Sequence, residues 1–179
     1  PKPNSTTCNT GSASRPRPGS RPSNSSGPST MGIHRDFKEL FESFNARGVE
    51  YVVVGGYALA FYGAPRYTGD IDLLVNRDPA NAQRIVAALA DFGFASLELT
   101  TEDFQNPDQI IQLGVPPVRI DLVTSIDGVS WLQAWNGKVK GSYGETPVWF
   151  ISREDLIANK NASGRPQDLA DLQALRKRL

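Results

Sequence analysis

The chain has 179 residues, 39% of them hydrophobic, with equal numbers of acidic and basic side chains and a single cysteine. This length suits one globular domain with some non-globular sequence beside it. The lone Cys8 excludes a disulfide framework or a thiolate zinc site and fits a cytoplasmic protein, and no apolar run approaches the roughly 20 residues of a membrane span.

Residues 1–30 are dominated by Ser, Pro, Asn, Thr and Gly and carry Lys2, Arg15, Arg17 and Arg21 without any acid. They have almost nothing to bury and are expected to be disordered. Met31 is the only methionine, so the stretch reads as a vector-derived or untranslated leader. An organellar transit peptide is the rival reading, and the lack of an apolar core excludes a standard secretory signal. The domain is then residues 31–179, in which acids outnumber basic groups by four. That balance is poor ground for a broad electrostatic grip on nucleic acid, and it favours small or cationic acceptors.

Phe37, Leu40, Phe41 and Phe44 recur at helical spacing and predict a first helix with a core-facing stripe, ended by Gly48. His34, where that helix begins, reads as a surface residue. Residues 51–54 are a short β-branched run of the kind that forms a buried strand, and Gly55-Gly56 ends it. A helix over 57–61 should follow at once, its free N–H groups forming a phosphate seat above the strand end. Glycine lets a phosphate approach the backbone closely. After a break at 63–65 a second strand begins near Thr68 and alternates through Asp70-Ile71-Asp72-Leu73. Asp70 and Asp72 then share a face, with Cα atoms about 6.5–7 Å apart, while Ile71 and Leu73 enter the core. Two carboxylates this close repel each other unless a hard divalent cation lies between them, and magnesium suits such oxygen ligands. An amphipathic strand with a wet acidic face is the plainer alternative.

Ile85, Val86, Leu89 and Phe92 predict a further helix, closed by Gly93. Strands are expected at 94–97 and 109–113, with a short turn capped by Thr101 between them and a break at 114–117. Residues 118–124 form another strand in which Asp121 interrupts an apolar run between Ile120 and Leu122. It is either a third site carboxylate or an edge-strand acid facing water. Trp131 and Trp135, four residues apart with Leu132 between them, read as a hydrophobic anchor in preference to a base-stacking platform. Residues 138–143 and 148–151 form a hairpin across 144–147. Ser152 with Asp155 opens a helix through Lys160, and a last helix from Pro166 carries Leu169, Leu172, Leu175 and Leu179. The expected class is α/β, a small mixed sheet with helices packed on it.

Gly55-Gly56, thirteen residues, then Asp70-Ile71-Asp72-Leu73 resembles the signature of the nucleotidyltransferase superfamily. Arg66-Tyr67-Thr68-Gly69-Asp70-Ile71-Asp72 is similar to the form found in small bacterial nucleotidyltransferases of the AbiEii toxin type. Lys160, Gly164, Arg165 and Asp168 resemble the C-terminal signature of the same group, and the likeness spans residues 49–175. Where many members carry serine after the first glycine this chain has Gly56 and then Tyr57, so backbone N–H groups must do more. The resemblance implies a nucleotidyltransferase fold and a set of site residues. Asp70, Asp72 and Asp121 would be catalytic ligands of two Mg2+ ions, with Mn2+ able to replace them. Gly55, Gly56, Tyr57, Arg66, Thr68, Lys160 and Arg165 would bind the nucleotide, with Asp168 orienting the lysine or arginine. The implied reaction moves a nucleoside monophosphate from an NTP to an acceptor hydroxyl and releases pyrophosphate. The acceptor stays open among tRNA, protein and a small antibiotic such as an aminoglycoside or lincosamide, and a cognate antitoxin is an implied partner. A non-catalytic nucleotide-binding module of a toxin–antitoxin pair is a further reading, whose mark would be the loss of a metal acid.

Overall fold

A computed structural model describes residues 34–115 and 118–177. The leader expected at 1–30 lies outside the described residues, as does Leu179. The first helix, α1 (Arg35–Ala46), starts where His34 Nδ1 accepts a hydrogen bond from the Asp36 N–H at 3.3 Å. Its stripe of Phe37, Leu40, Phe41 and Phe44 is fully buried. Each such side chain contributes about 1.5–3 kcal/mol of apolar burial. The chain then turns at Gly48 into β1 (Tyr51–Val54), whose four residues are all buried.

The next helix, α2 (Gly55–Phe61), begins at the first glycine, two residues earlier than the sequence predicts. Gly55 has a φ of +62°, a left-handed conformation that glycine adopts without strain. It is followed by β2 (Asp70–Val75) and α3 (Pro79–Leu89), the latter capped by the Asp78 carboxylate and started by Pro79. The expected strand at 94–97 is not formed. Ala90–Phe94 is a widened helical turn and Ala95–Leu97 a 3-10 turn, because Gly93, at φ 111°, redirects the chain instead of ending it. Phe92, Phe94 and Leu97 pack against the core from there. Local apolar content alone suggests a strand here, and packing against the core imposes a folded-back turn.

Then come β3 (Ile110–Val115), β4 (Val118–Val123) and the short α4 (Trp131–Gly137), capped by Ser130. Trp131 and Trp135 stack at 5.2 Å and pack partly buried against the core, as an anchor should. The hairpin of β5 (Val139–Tyr143) and β6 (Thr146–Phe150) closes more tightly than expected, pairing Tyr143 with Thr146 across Gly144 and Glu145. Last are α5 (Arg153–Ser163), capped by Ser152, and α6 (Pro166–Arg176).

The six strands form one mixed sheet in the order β3-β4-β2-β1-β6-β5. β1 is antiparallel to β2 and parallel to β6, while β2 runs parallel to β4. Two registers position the site. Val54, at the end of β1, faces Asp72, and Asp72 faces Asp121 across the β2–β4 pair. The glycine turn and all three predicted carboxylates therefore meet at one end of the sheet's centre.

Candidate active site

Alternation along β2 sends Ile71 and Leu73 into the core, where both are fully buried, and leaves Asp70 and Asp72 half-buried on the opposite face. On β4 the same period places Arg119 and Asp121 on one face. In the parallel register Arg119 is the partner of Asp70, and Asp121 that of Asp72. The guanidinium of Arg119 donates through Nη2 to Asp70 Oδ2 at 2.7 Å and to Asp121 Oδ2 at 3.1 Å, and through Nε to Asp121 Oδ1 at 2.9 Å. Sequence reasoning missed this residue. Its signal was present, since a basic residue two positions before an acid on a strand must share that acid's face.

Asp72 sits differently. Among the described residues no cation lies within ion-pair distance of it. Burial, and then the charges of Asp121 and Asp70, push its carboxyl from the ordinary 3.8 up to about 6, against the pull of Lys160 and Arg66. Burial also pushes Asp121 up, opposed by its bonds with Arg119 and by Gln112, its partner on β3. The glycines make room for this arrangement. A methyl group on Gly55 would lie 2.1 Å from Asp72 Oδ2, and one on Gly56 would lie 2.8 Å from Thr68 Cγ2. Thr68 in turn accepts the Asp70 N–H at 3.3 Å through its Oγ1, fixing the entry to β2. Both glycines are thus required by the protein's own carboxylate and turn, before any ligand is considered.

The remaining predicted residues divide. Arg66 reaches Asp171 of α6, with Nε 3.2 Å from Oδ1. Lys160 is nearly buried and lies 2.6 Å from Asp168 and 3.1 Å from Asp171. Asp168 also accepts from Ser163 and from Arg165, whose side chain is 76% exposed. Burial would raise the Asp168 carboxyl, yet the hydrogen bonds of Lys160 and Ser163 hold it below its usual range. Geometry explains the cluster. Gly164, at φ 59°, ends α5 in a left-handed cap, Pro166 starts α6, and the fold-back brings Asp168 and Asp171, three apart on one helix face, onto Lys160. Asp171 was also missed, although its spacing from Asp168 marks that shared face. The ring of Tyr57 packs against Phe37 at 5.7 Å and Tyr143 at 5.9 Å, so it belongs to the aromatic core on the α1 side.

Among the described residues no three His, Cys, Asp or Glu groups are drawn together closely enough to hold a metal ion. Asp70 and Asp121 are bridged by Arg119 instead. The chemistry of the donors, though not their present spacing, suits a hard divalent ion: three carboxylates on two paired strands, one of them raised to about 6 by burial and then by its acidic neighbours, and cradled where Gly55 has no side chain.

A family model described as the nucleotidyl transferase AbiEii toxin of a type IV toxin–antitoxin system matches residues 39–178. Among solved structures, the chain is similar to a Thermotoga maritima protein assigned as a nucleotidyltransferase, with a TM-score of 0.51 and 15% identity over 80% of this chain and 89% of that one. That likeness is one of fold. An antigenic nucleotidyltransferase-like protein from Paracoccidioides brasiliensis is similar at a TM-score of 0.45 and 20% identity, over 77% of this chain and 72% of that one. No curated protein matches the sequence.

Proposed function

The chain belongs to the AbiEii family of nucleotidyl transferase toxins, and from that premise we propose that it transfers a nucleoside monophosphate from an NTP to a hydroxyl of tRNA or another cellular target, with magnesium. The observation that carries this reading is the register of β2 and β4, which sets Asp70, Asp72 and Asp121 on neighbouring strands beside the Gly55 turn. Asp70, Asp72 and Asp121 would hold the ions, which supply charge neutralisation at the triphosphate and a lowered pKa at the acceptor hydroxyl. The hydroxyl oxygen attacks the α-phosphorus, the bond to the bridging oxygen breaks, and pyrophosphate leaves with that electron pair. Asp121 takes the hydroxyl proton. The first-turn N–H groups of α2, which no side chain caps, face phosphate oxygens. Arg66 and Lys160, close enough to pull on the Asp72 carboxyl, offset charge on the polyphosphate.

A second reading, transfer to a cationic antibiotic, is favoured by the excess of four acids over basic residues in 31–179. Incubating the protein with each labelled NTP, magnesium and, in separate arms, total tRNA, cell protein and an antibiotic panel tests both. Label on tRNA or protein supports the first reading, and label on the antibiotic alone moves the conclusion to the second. No label in any arm, from protein shown to be folded, contradicts the transfer activity proposed here.

A further inference from the structure

Arg119 makes more contacts with the acid cluster than a chance surface pair requires. It shares a face of β4 with Asp121 and stands opposite Asp70 on β2, so one planar side chain can bond both acids without leaving the strand direction. Three donor contacts, at 2.7, 2.9 and 3.1 Å, cover Asp70 Oδ2 and both carboxylate oxygens of Asp121. These are oxygens that a divalent ion would need. A guanidinium and a metal ion cannot both take the same lone pairs at bonding distance.

We propose that Arg119 is a positioning residue that acts as an internal counter-cation, holding Asp70 and Asp121 in the ion-free protein and competing with the divalent ion for them. The inference rests on the reading that these carboxylates bind such an ion. The Arg119 side chain is 29% exposed, so solvent reaches the guanidinium on one side. The triphosphate that arrives with the metal offers it other anionic oxygens. Ion and nucleotide binding are thereby coupled, and each strengthens the other by the same factor. Replacing Arg119 would leave Mn2+ affinity unchanged if the ion took none of the oxygens that Arg119 covers.

The test is titration of the nucleotide-free protein with Mn2+ alone, followed by the loss of the free-ion electron spin resonance signal, in the wild type, Arg119→Gln and Arg119→Lys. Arg119→Gln should bind Mn2+ on the order of tenfold more tightly, equivalent to about 1.4 kcal/mol. Arg119→Lys, which keeps the charge without the fork, should fall between. Thermal melts guard against a folding artefact, because Mn2+ should raise the melting temperature of Arg119→Gln more than that of the wild type. Equal or weaker Mn2+ binding by Arg119→Gln overturns the proposal, and if the wild type still labels an acceptor, the transfer activity stands without it. No Mn2+ bound by any of the three proteins overturns the proposal together with the metal role of the carboxylates.

Discussion

Two acidic clusters lie near each other in this protein and are treated in opposite ways. At the sheet, the one guanidinium of Arg119 pairs with Asp70 and Asp121, and Asp72 beside them is left with a carboxyl pushed up to about 6. Between α5 and α6, Asp168 and Asp171 are served by Lys160, Arg165 and Arg66, and Asp168 is held below its ordinary range. The first cluster has too little positive charge and the second has enough. Unbalanced carboxylates cost stability and persist where a cation must be bound, whereas balanced ones tie elements together. The difference separates the carboxylates proposed to hold the ion from those that, through Lys160, Arg165 and Arg66, hold the two last helices against the loop before β2.

The largest expected effect on transfer lies in the unbalanced cluster. Asp121→Asn should lower transfer by at least about 100-fold, roughly 2.7 kcal/mol in the barrier, because it removes a metal ligand and the proton acceptor together. Its melting temperature should change little. Initial rates with saturating nucleotide check this, and near wild-type turnover would remove Asp121 from the site.

In the balanced cluster the expectation is reversed. Lys160→Ala would leave Asp168 and Asp171, both buried, without their shared ammonium, at a cost of about 3–5 kcal/mol in stability. Denaturant melts should show it before any rate is measured. A Lys160→Ala protein as stable as the wild type would contradict this structural role, leaving Lys160 only its part in offsetting charge on the polyphosphate.

Gly55→Ala probes the seam between glycine turn and acid. The added methyl would collide with the Asp72 carboxylate at 2.1 Å, on a backbone with φ +62°, so a loss of about 1–3 kcal/mol is expected with a fall in transfer. An unperturbed variant would mean that Asp72 does not need that space. The smallest effect belongs to Arg165→Ala. Its side chain is 76% exposed, and Lys160 and Ser163 still hold Asp168 without it. The stability change should stay under about 1 kcal/mol, and a larger loss in chemical denaturation would make Arg165 a true member of the balanced network.

Much of this contrast was legible in the residue pattern. The stripe of Phe37, Leu40, Phe41 and Phe44, the alternation from Asp70 to Leu73, and the single acid in the apolar run around Asp121 each report a local period, and a period survives without knowledge of the rest of the chain. What the pattern lacked was pairing. The contact of Arg119 with Asp70 joins residues 49 positions apart, and β6 enters parallel beside β1 after most of the sheet has been built. Lys160 could be recognised as a cation in the right motif, but its burial between two acids depends on how α6 folds back after Gly164. The irregular turns at 90–97 escaped for a related reason, since Gly93 can end a helix or redirect it and only packing decides which.

The central claim is that Asp72 carries a charge the ion-free fold would be better without. Its folded pKa of about 6 lies above the ordinary 3.8, so the folded state binds the proton more tightly than the unfolded chain. The wild type is therefore penalised progressively as pH rises from about 4 to 6, and by a constant amount above that, up to about 3 kcal/mol. The deciding measurement is a set of thermal melts of wild type and Asp72→Asn from pH 4 to 8, without divalent ions and then with magnesium, alongside transfer at pH 7. The account predicts that Asp72→Asn gains stability over the wild type as pH rises from about 4 to 6 and keeps that margin above, that magnesium stabilises only the wild type, and that the variant transfers no label. An Asp72→Asn protein that melts below the wild type at pH 7, or that retains magnesium-dependent transfer, would contradict it.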